Sequence, residues 1–530
     1  MNHRKNINIH SLIQITFERN IVFTILMMLA LVGCSDELDK IPLTNYSEEQ
    51  VFSTEEGLET AVNGIYLAIS SGAYHGSAYH GLVAPVSGKF YSQQGASEDA
   101  TRLDTSPSNI WLVRMWPQMY SAINNANLLI ANVENQNLGL SNVNSALGHA
   151  YFARAVVYFD LVRFFGDVPL RLEPVTEDDL YLPRTSADQV YNQIIEDFRK
   201  AAELLPENIT DYEGRPRKLA ANAFLAKVYL TLASDPNGDS SFYSLAKEEA
   251  LKVYGNYSLM PVYSDLFDIT NENTVESIFE LQYGQTGAIR NSESVRSYTP
   301  SNSTFVGPSI RTFGRFKPNK ETFTNHSDQY PGDPRLDGIF IYNSYELVNG
   351  GQRDVYPVQI NGNDGFPYLR KYLDPNYDGT TTNRNFIKFR YADVLLMLAE
   401  IENELNGPDD AYVYVNEVLA RARNTEEGTV DEPADWDGMS QEEFRDRIRK
   451  ERQYELLGEG HEWFDTRRFG YDYFLEEVVN LHNDFVQDLM ENNSNVRDFI
   501  YPQDPKNMLL PIPFDEISRN PQITEQNPGY

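Results

Sequence analysis

The one cysteine in this 530-residue chain closes the run Leu31-Val32-Gly33-Cys34. That is the Leu-x-(Gly/Ala)-Cys pattern of a bacterial lipobox. There small residues fit the peptidase, the cysteine thiol is diacylated, and the chain is cut in front of it. What precedes Cys34 suits the role. Arg4, Lys5 and Arg19 are basic, and Ile21 to Val32 is an apolar run too short to span a bilayer permanently. Acyl chains on Cys34 would hold the protein to a membrane by burying many methylene groups. A single cysteine also leaves no intramolecular disulfide and no cysteine-based metal cluster.

A second chemistry is non-covalent. Between residues 71 and 120, Tyr74, Tyr79, Phe90, Tyr91, Gln93, Glu98, Asp99, Arg102, Trp111 and Trp116 are set among Gly, Ser and Ala. In water an aromatic face stacks on the C–H face of a sugar ring while Asp, Gln or Arg bonds its hydroxyls. Phe313, Phe366, Tyr368 and Tyr377 offer further aromatic faces. Other patterns carry less. "DPNYDGTTTN" (374–383) places Asp374, Asn376 and Asp378 as at the start of a calcium loop, but its twelfth position is Asn385 and no helix leads in, so it reads as a hairpin turn. With 77 Asp and Glu, paired carboxylates are too common to indicate a glycosidase, which needs two at a fixed separation. The eight histidines form no zinc cluster. Neither a metal nor a cofactor is expected.

Side chains that capture a ligand need a rigid frame, and much of the remaining sequence reads as one. Hydrophobic residues make up 41% and charged residues 23%, a globular composition. "STEEGLETAVNGIYLAIS" (53–70) opens on Ser53 or Thr54 as N-cap, has acids in its first turn, and lines Leu58, Ala61, Val62, Ile65 and Leu67 along one side. Helical periods follow over 111–133, 143–165, 186–205, 217–234 and 241–255, and again over 390–406, 409–424 and 440–458. "HAYFARAVVYFDL" (149–161), "NAFLAKVYLTLAS" (222–234) and "ADVLLMLAEIENEL" (392–405) are related, and each is followed by a second helix. Such pairs, repeating about every 34 residues, are the mark of tetratricopeptide (TPR) repeats.

Two regions break the pattern. Residues 71–109 show no helical period and read as a long structured loop. Residues 256–389, rich in Gly, Asn, Pro, Asp and Tyr, read as irregular loops, short strands and small hairpins. The tail, with Pro511, Pro513, Pro521 and Pro528, excludes a regular helix and is expected to lie extended over the helical body. The fold class is therefore mainly α: a TPR-like helical repeat scaffold with irregular loop and short-strand insertions. It divides into a signal peptide (1–33), a lipid-anchored tether (34–46) and one domain (47–530). That domain comprises a repeat-rich part (47–255), an insertion (256–389) and C-terminal helices with the tail (390–530).

The formal net charge of −33 repels phosphate backbones and excludes nucleic acid as a natural partner. It also weighs against polyanionic ligands unless a local basic patch overrides the average. "RKERQYELLGEGHEWFDTRR" (449–468) is dense in charge. Its helical spacings predict ion pairs of Arg449, Arg452 and Arg468 with Glu455 or Asp465, fastening helices to the tail rather than serving catalysis.

Five stretches, "WPQMYSAINNANLLI" (116–130), "ARAVVYFDLVRFFGDVPL" (153–170), "RYADVLLMLAEIENEL" (390–405), "RKERQYELLGEGHEWFDTRRFG" (449–470) and "LLPIPFDEISRNPQITEQNPGY" (509–530), stand in the order that, with the lipobox, resembles the SusD/RagB family of Bacteroidota outer-membrane lipoproteins. His461 and Glu462 depart from the Arg-x that often precedes Trp463-x-Asp465 in that family. The resemblance implies a surface-exposed glycan- or nutrient-binding lipoprotein without catalysis of its own, seated as a lid over a SusC-like TonB-dependent transporter. Ser35-Asp36-Glu37-x-Asp39 resembles the signal that sends such lipoproteins to the outer face. Trp116 falls in the family's W-x-x-x-Y-x-x-I helix motif, hence in the core. The 71–120 stretch falls in the ligand-facing region, which makes Trp111, Tyr91, Asp99, Arg102, Glu98, Tyr79 and Tyr74 the candidate ligand residues. Oligosaccharide capture is the first expectation. A peptide or glycopeptide ligand, as in the RagB branch, a surface glycosidase, and a purely structural TPR adaptor are the alternatives.

Overall fold

A computed structural model describes residues 51–530 apart from 93–94, 135, 137, 209–213, 285–291, 361–362 and 493–497. The lipobox with Cys34, the apolar leader and the tether lie outside the described residues. Helix α1 (Glu55–Ser70) starts where Thr54 accepts a hydrogen bond from Gly57 N at 3.0 Å, and it buries Leu58, Val62, Ile65 and Ile69. After α2 (Ala78–Val86) come α3 (Ile110–Val133), α4 (Val143–Phe165), α5 (Ala187–Leu204), α6 (Lys218–Ser234) and α7 (Phe242–Val253). The repeat pairs expected from sequence are α4 with α5, α6 with α7, and α9 (Tyr391–Asn406) with α10 (Tyr412–Ala422), each packed against its partner. First helices of the pairs are sheathed on all sides: 19 of the 23 residues of α4 are buried. Second helices face water and keep one apolar stripe, so α5 buries only Val190, Ile194, Ile195, Asp197, Phe198 and Ala201. Small residues permit the crossings: a Cβ on Gly148 would come within 2.9 Å of Leu205 N.

The 71–109 stretch differs from its expectation. It contains α2, whose nine residues are all buried. A helix buried all round has no polar face, so it leaves no period in the sequence. The insertion is built of short pieces, with one longer helix, α8 (Lys320–Gln329). Two sheet ladders hold it, one tying its middle to the 71–109 stretch and one pairing segments near its two ends with each other. Strand β1 (Phe90–Tyr91) pairs antiparallel with β3 (Lys317–Pro318), and β2 (Ser277–Leu281) pairs with β8 (Phe386–Arg390), which runs directly into α9. Between them β4 (Phe340–Ile341) pairs with β7 (Tyr368–Leu369), and β5 (Ser344–Glu346) with β6 (Gln352–Asp354). Helices α11 (Gln441–Leu456) and α12 (Leu481–Asn492) follow.

Buried ion pairs lock the insertion to the repeats. Arg390 meets Glu455 at 2.6 Å, Glu459 at 2.7 Å and Glu276 at 2.7 Å. Arg421 meets Glu276 at 2.8 Å and also Glu455, and Arg335 meets Glu455 at 3.0 Å. Arg452 and Arg468 pair with Asp465 at 3.0 and 3.1 Å; helical spacing predicts the second, while the first joins α11 to the short helix Glu462–Arg467. Arg449 differs: its guanidinium lies 3.8 Å above the Phe469 ring rather than on a carboxylate. The tail runs over the body through Leu510 N to Phe164 O (2.7 Å) and Asn527 Nδ2 to Phe165 O (2.9 Å), with one short helix, Phe514–Arg519, after Pro513. Among the described residues no helix is long and apolar enough to cross a membrane.

Candidate functional site

The β1–β3 ladder sets Tyr91 opposite Lys317. Because side chains alternate across a strand, Phe90 enters the core against Tyr298, and Tyr91 lies on the other side in a separate cluster with Phe474, Val478 and Phe499. The Tyr91 ring stacks on Phe366 (centroids 4.0 Å apart, planes 16°) and on Phe499 (5.3 Å, 24°). The Arg102 guanidinium covers Phe499 at 3.8 Å and bonds Glu98 at 2.9 Å, with about half of the Arg102 side chain exposed. Three distant segments thus build one aromatic stack, capped by a charge.

The stack continues along the insertion. From Thr312 to Pro318 burial alternates residue by residue, which sets Phe313, Arg315 and Lys317 on the half-exposed face. Lys317 Nζ lies 5.8 Å from the Phe366 ring and 5.3 Å from the Tyr368 ring; Lys320 Nζ lies 4.8 Å from Phe366 and pairs with Asp498 at 3.1 Å. Gly314, at φ +49°, admits the Tyr368 ring where a Cβ would come within 2.5 Å of it. Phe313 lies under two guanidinium groups, Arg296 at 4.5 Å and Arg315 at 4.3 Å. The result is a band of rings and cations in which Phe313, Phe366, Tyr368, Arg296, Arg315 and Lys317 are half-buried and Tyr91, Phe499 and Lys320 are buried beneath them.

Trp111 opens α3. Its amide and that of Leu112 donate to the N-cap Asn109 Oδ1 at 2.9 and 3.4 Å. Asn109 Nδ2 donates in turn to Asp99 Oδ1 (2.8 Å), whose other oxygen accepts from Ser106 N (3.1 Å). The indole Nε1 donates to Ser97 Oγ at 3.0 Å, and the ring packs on Gly81, where a Cβ would lie 2.6 Å from it. Trp111 is half-buried, with one side committed to packing.

The sequence candidates therefore separate. Arg102 and Glu98 come together at the surface of the band, while Tyr91 is buried between Phe366 and Phe499 and supports it from beneath. Trp111 stands at the adjoining helix start. Asp99 is spent on organising that start. Tyr74 and Tyr79 are corrections: both are buried in the core, where the Tyr74 hydroxyl donates to Asp160 Oδ2 (2.6 Å) and the Tyr79 hydroxyl to Gly460 O (3.2 Å), so neither has a face for a ligand. Trp116 is in the core against Phe165, as its helix motif implies. Of the insertion aromatics, Phe313, Phe366 and Tyr368 are on the band, while Tyr377 is buried beside Val295 and Val306. The 374–383 loop closes on itself. Asp374 accepts from Asn376 N and Thr382 Oγ1, and Asp378 accepts from Thr380 and Thr381; these donors hold the Asp378 carboxyl well below the usual carboxylate range. Among the described residues no group of His, Cys, Asp and Glu is arranged to hold a metal ion.

Arg296, Arg315, Lys317 and Phe499 are new. A signal for the cations was present: residues 294–320 hold five Lys and Arg and no Asp or Glu, where the chain's average would give about four acids. A cleft of about 800 Å³ beside Arg199, Glu203, Lys218 and Glu249 has no aromatic lining and lacks what a sugar face needs.

Comparison with known proteins fits this architecture. Residues 226–530 match the family model described as "SusD family", and residues 37–230 match one described as "Starch-binding associating with outer membrane". SusD-like protein P2 of Formosa agariphila is 30% identical over 533 residues, covering 96% of this chain and 98% of its own. Among solved structures, a SusD homolog from Bacteroides thetaiotaomicron superposes with a TM-score of 0.77 at 21% identity, covering 91% of this chain and 98% of its own. A SusD superfamily protein from Parabacteroides distasonis gives 0.73 at 27% identity, covering 90% and 99%. Two further chains with this fold were solved with a xylogluco-oligosaccharide (TM-score 0.68, 21% identity, covering 88% and 97%) and as a laminarin-binding SusD-like protein (0.66, 22%, covering 90% and 100%).

Proposed function

Because this chain belongs to the SusD/RagB family, we propose that it is a non-catalytic binding protein that captures oligosaccharides at the cell surface and hands them to a SusC-like TonB-dependent transporter. The band carries this reading: the half-buried Phe366, backed by the buried Tyr91 and Phe499 and flanked by Arg102, Glu98 and Lys317, combines an apolar face with hydrogen-bonding groups as sugar recognition requires. Oligosaccharide capture by two chains of this fold supports it. Trp111 extends the platform at the start of α3. Acylation at Cys34 anchors the protein in the outer membrane, and the acids behind Cys34 direct it to the outer face.

Affinity in the millimolar to micromolar range suffices for hand-over, or about 4–8 kcal/mol. The test is calorimetric titration of wild type, Trp111→Ala and Phe366→Ala against a glycan panel, with a peptide library alongside. Loss of about tenfold in glycan affinity at unchanged melting temperature is expected for at least one variant. Binding confined to peptides removes the glycan reading, and unchanged glycan affinity in both variants removes this band as the site.

A further inference from the structure

The molecule as a whole is strongly acidic, yet the band is not. Its insertion segment, residues 294–320, runs between Glu293 and Glu321 with five cations and no acid. Lys320 pairs with Asp498 and Arg311 is exposed, but Arg296, Arg315 and Lys317 differ from most buried cations of the protein in what they touch. Buried Arg335, Arg390, Arg421, Arg452 and Arg468 each meet at least one carboxylate, and buried Arg467 is held by the carbonyls of Asn507 and Val86. Arg296 and Arg315 have neither. Among the described residues their guanidinium groups make no ion pair and no hydrogen bond, and the Nε atom of each is buried and unbonded. Glu293 is near enough to be felt by Arg315 yet forms no ion pair with it. Lys317 likewise has rings around its ammonium and no carboxylate.

Such an arrangement costs the empty protein something, since half-buried cations without counter-charges repel one another and lose hydration. Burial, with Arg353 adding like charge, pushes Lys317 down to about 8. An arrangement of this kind suits a site whose counter-charge arrives with the ligand. Contact of both guanidinium groups with the Phe313 ring fixes where they lie, so an incoming oxyanion meets donors already in place. Long-range repulsion from the net charge of −33 does not cancel this, because at physiological ionic strength charges beyond about 8 Å are screened while contact pairs are not.

We infer that the oligosaccharide taken up by this band is acidic, carrying uronate carboxylates or sulfate esters, and that Arg296, Arg315 and Lys317 recognise its oxyanions. This rests on the glycan-capture reading above and narrows it to a substrate class.

Calorimetric titration of the full chain with tetragalacturonate, a sulfated carrageenan tetrasaccharide and neutral laminaritetraose tests it. One acidic probe is expected to bind at least about tenfold more tightly than the neutral one, and to lose that advantage between about 50 and about 500 mM salt. Preference for tetragalacturonate identifies carboxylate as the recognised group; preference for the carrageenan probe identifies sulfate. The double variant Arg296→Gln/Arg315→Gln, which leaves Lys317 and the platform rings in place, is expected to lose about tenfold for the preferred probe and less than about twofold for laminaritetraose. If that variant fails to fold, the acidic-to-neutral ratio of the wild type and its salt dependence decide. Laminaritetraose binding as well as or better than both acidic probes overturns the inference and leaves glycan capture standing. Failure of all three, with binding of an acidic peptide such as oligoglutamate, overturns both.

Discussion

Asn109 shows how much one side chain can determine about the site. Its Oδ1 caps α3 by accepting from Trp111 N and Leu112 N, and its Nδ2 reaches back to Asp99 Oδ1 at 2.8 Å. Asn109→Ala is expected to cost about 1 kcal/mol of stability, the usual value of an N-cap. It should also shift the tryptophan emission, because Trp111 begins the helix that the cap fixes. Denaturant melts with a fluorescence readout check both; an unshifted spectrum would mean that Ser97 and Gly81 alone hold the indole. Asp99 explains why sequence could nominate it as a ligand group and no more. A carboxylate in a Gly- and Ser-rich loop beside aromatics looks the same whether it bonds a sugar or an Asn ten residues on. Tyr74 and Tyr79 were illegible for a related reason: "GAYHGSAYHG" has the composition of an exposed loop, but the chain folds inward there and spends both hydroxyls on Asp160 and Gly460.

At the scale of elements the amphipathic helices were readable from their periods and the first helices of the repeats from their kinship, because solvent on one face or repetition leaves a trace in sequence. Helix α2 left none, being buried on every side. The two-residue ladder β1–β3 was equally silent, since two residues cannot display an alternation, though it is what brings Tyr91 to Lys317. The buried charges that join the elements were legible only at short range: Asp465 to Arg468, three residues apart, follows from spacing, while Arg335, Arg390 and Arg421 converge on Glu455 from three separate segments. That convergence makes Glu455 the residue whose loss leaves most charge uncompensated. Burial opposes its ionisation, and the three arginines outweigh that, holding its carboxyl well below the usual range. Glu455→Gln keeps the shape and removes the charge, and is expected to destabilise the protein by about 3–5 kcal/mol, as for other broken buried pairs. Urea unfolding measures the change. A cost below about 1 kcal/mol would show that Glu276, Glu451 and Glu459 suffice for the arginines. The insertion should loosen first, because Arg335 belongs to it, and hydrogen exchange across residues 330–372 would report that.

For the whole molecule, acid sensitivity is set by buried histidines as well as by the many acids. Burial pushes His80, His149 and His461 down to about 3, and His75 down to about 4, although Asp160 beside His75 and Asp393 beside His461 pull the other way. The ordinary value is about 6.5 in the unfolded chain. Below 6.5 the unfolded chain takes up protons that the folded one refuses. The stability tied to each of these histidines is therefore complete above pH 6.5 and is lost as pH falls toward its folded value. Some groups work in the opposite sense. Burial opposes the charge on His482, but Glu321 and the Phe499 carbonyl outweigh it and raise the group, whose contribution is complete below 6.5 and lost at higher pH. Burial pushes Glu272 and Glu462 up to about 7, so the stability they carry is lost as pH rises from the ordinary carboxylate range through 7. The net pH profile mixes these signs, and a difference between variants isolates one of them. His80 is suited to this, lying among the rings of Tyr298, Tyr372 and Phe386 at 5.7, 5.6 and 5.3 Å. His80→Phe is expected to cost or gain a constant amount at pH 7–8. Between pH 6 and 4 the wild type should then lose about 1.4 kcal/mol per pH unit more than the variant. Parallel urea-derived stability curves over that range would show that His80 titrates normally in the folded state, and that the core around α2 is wetter than its burial indicates.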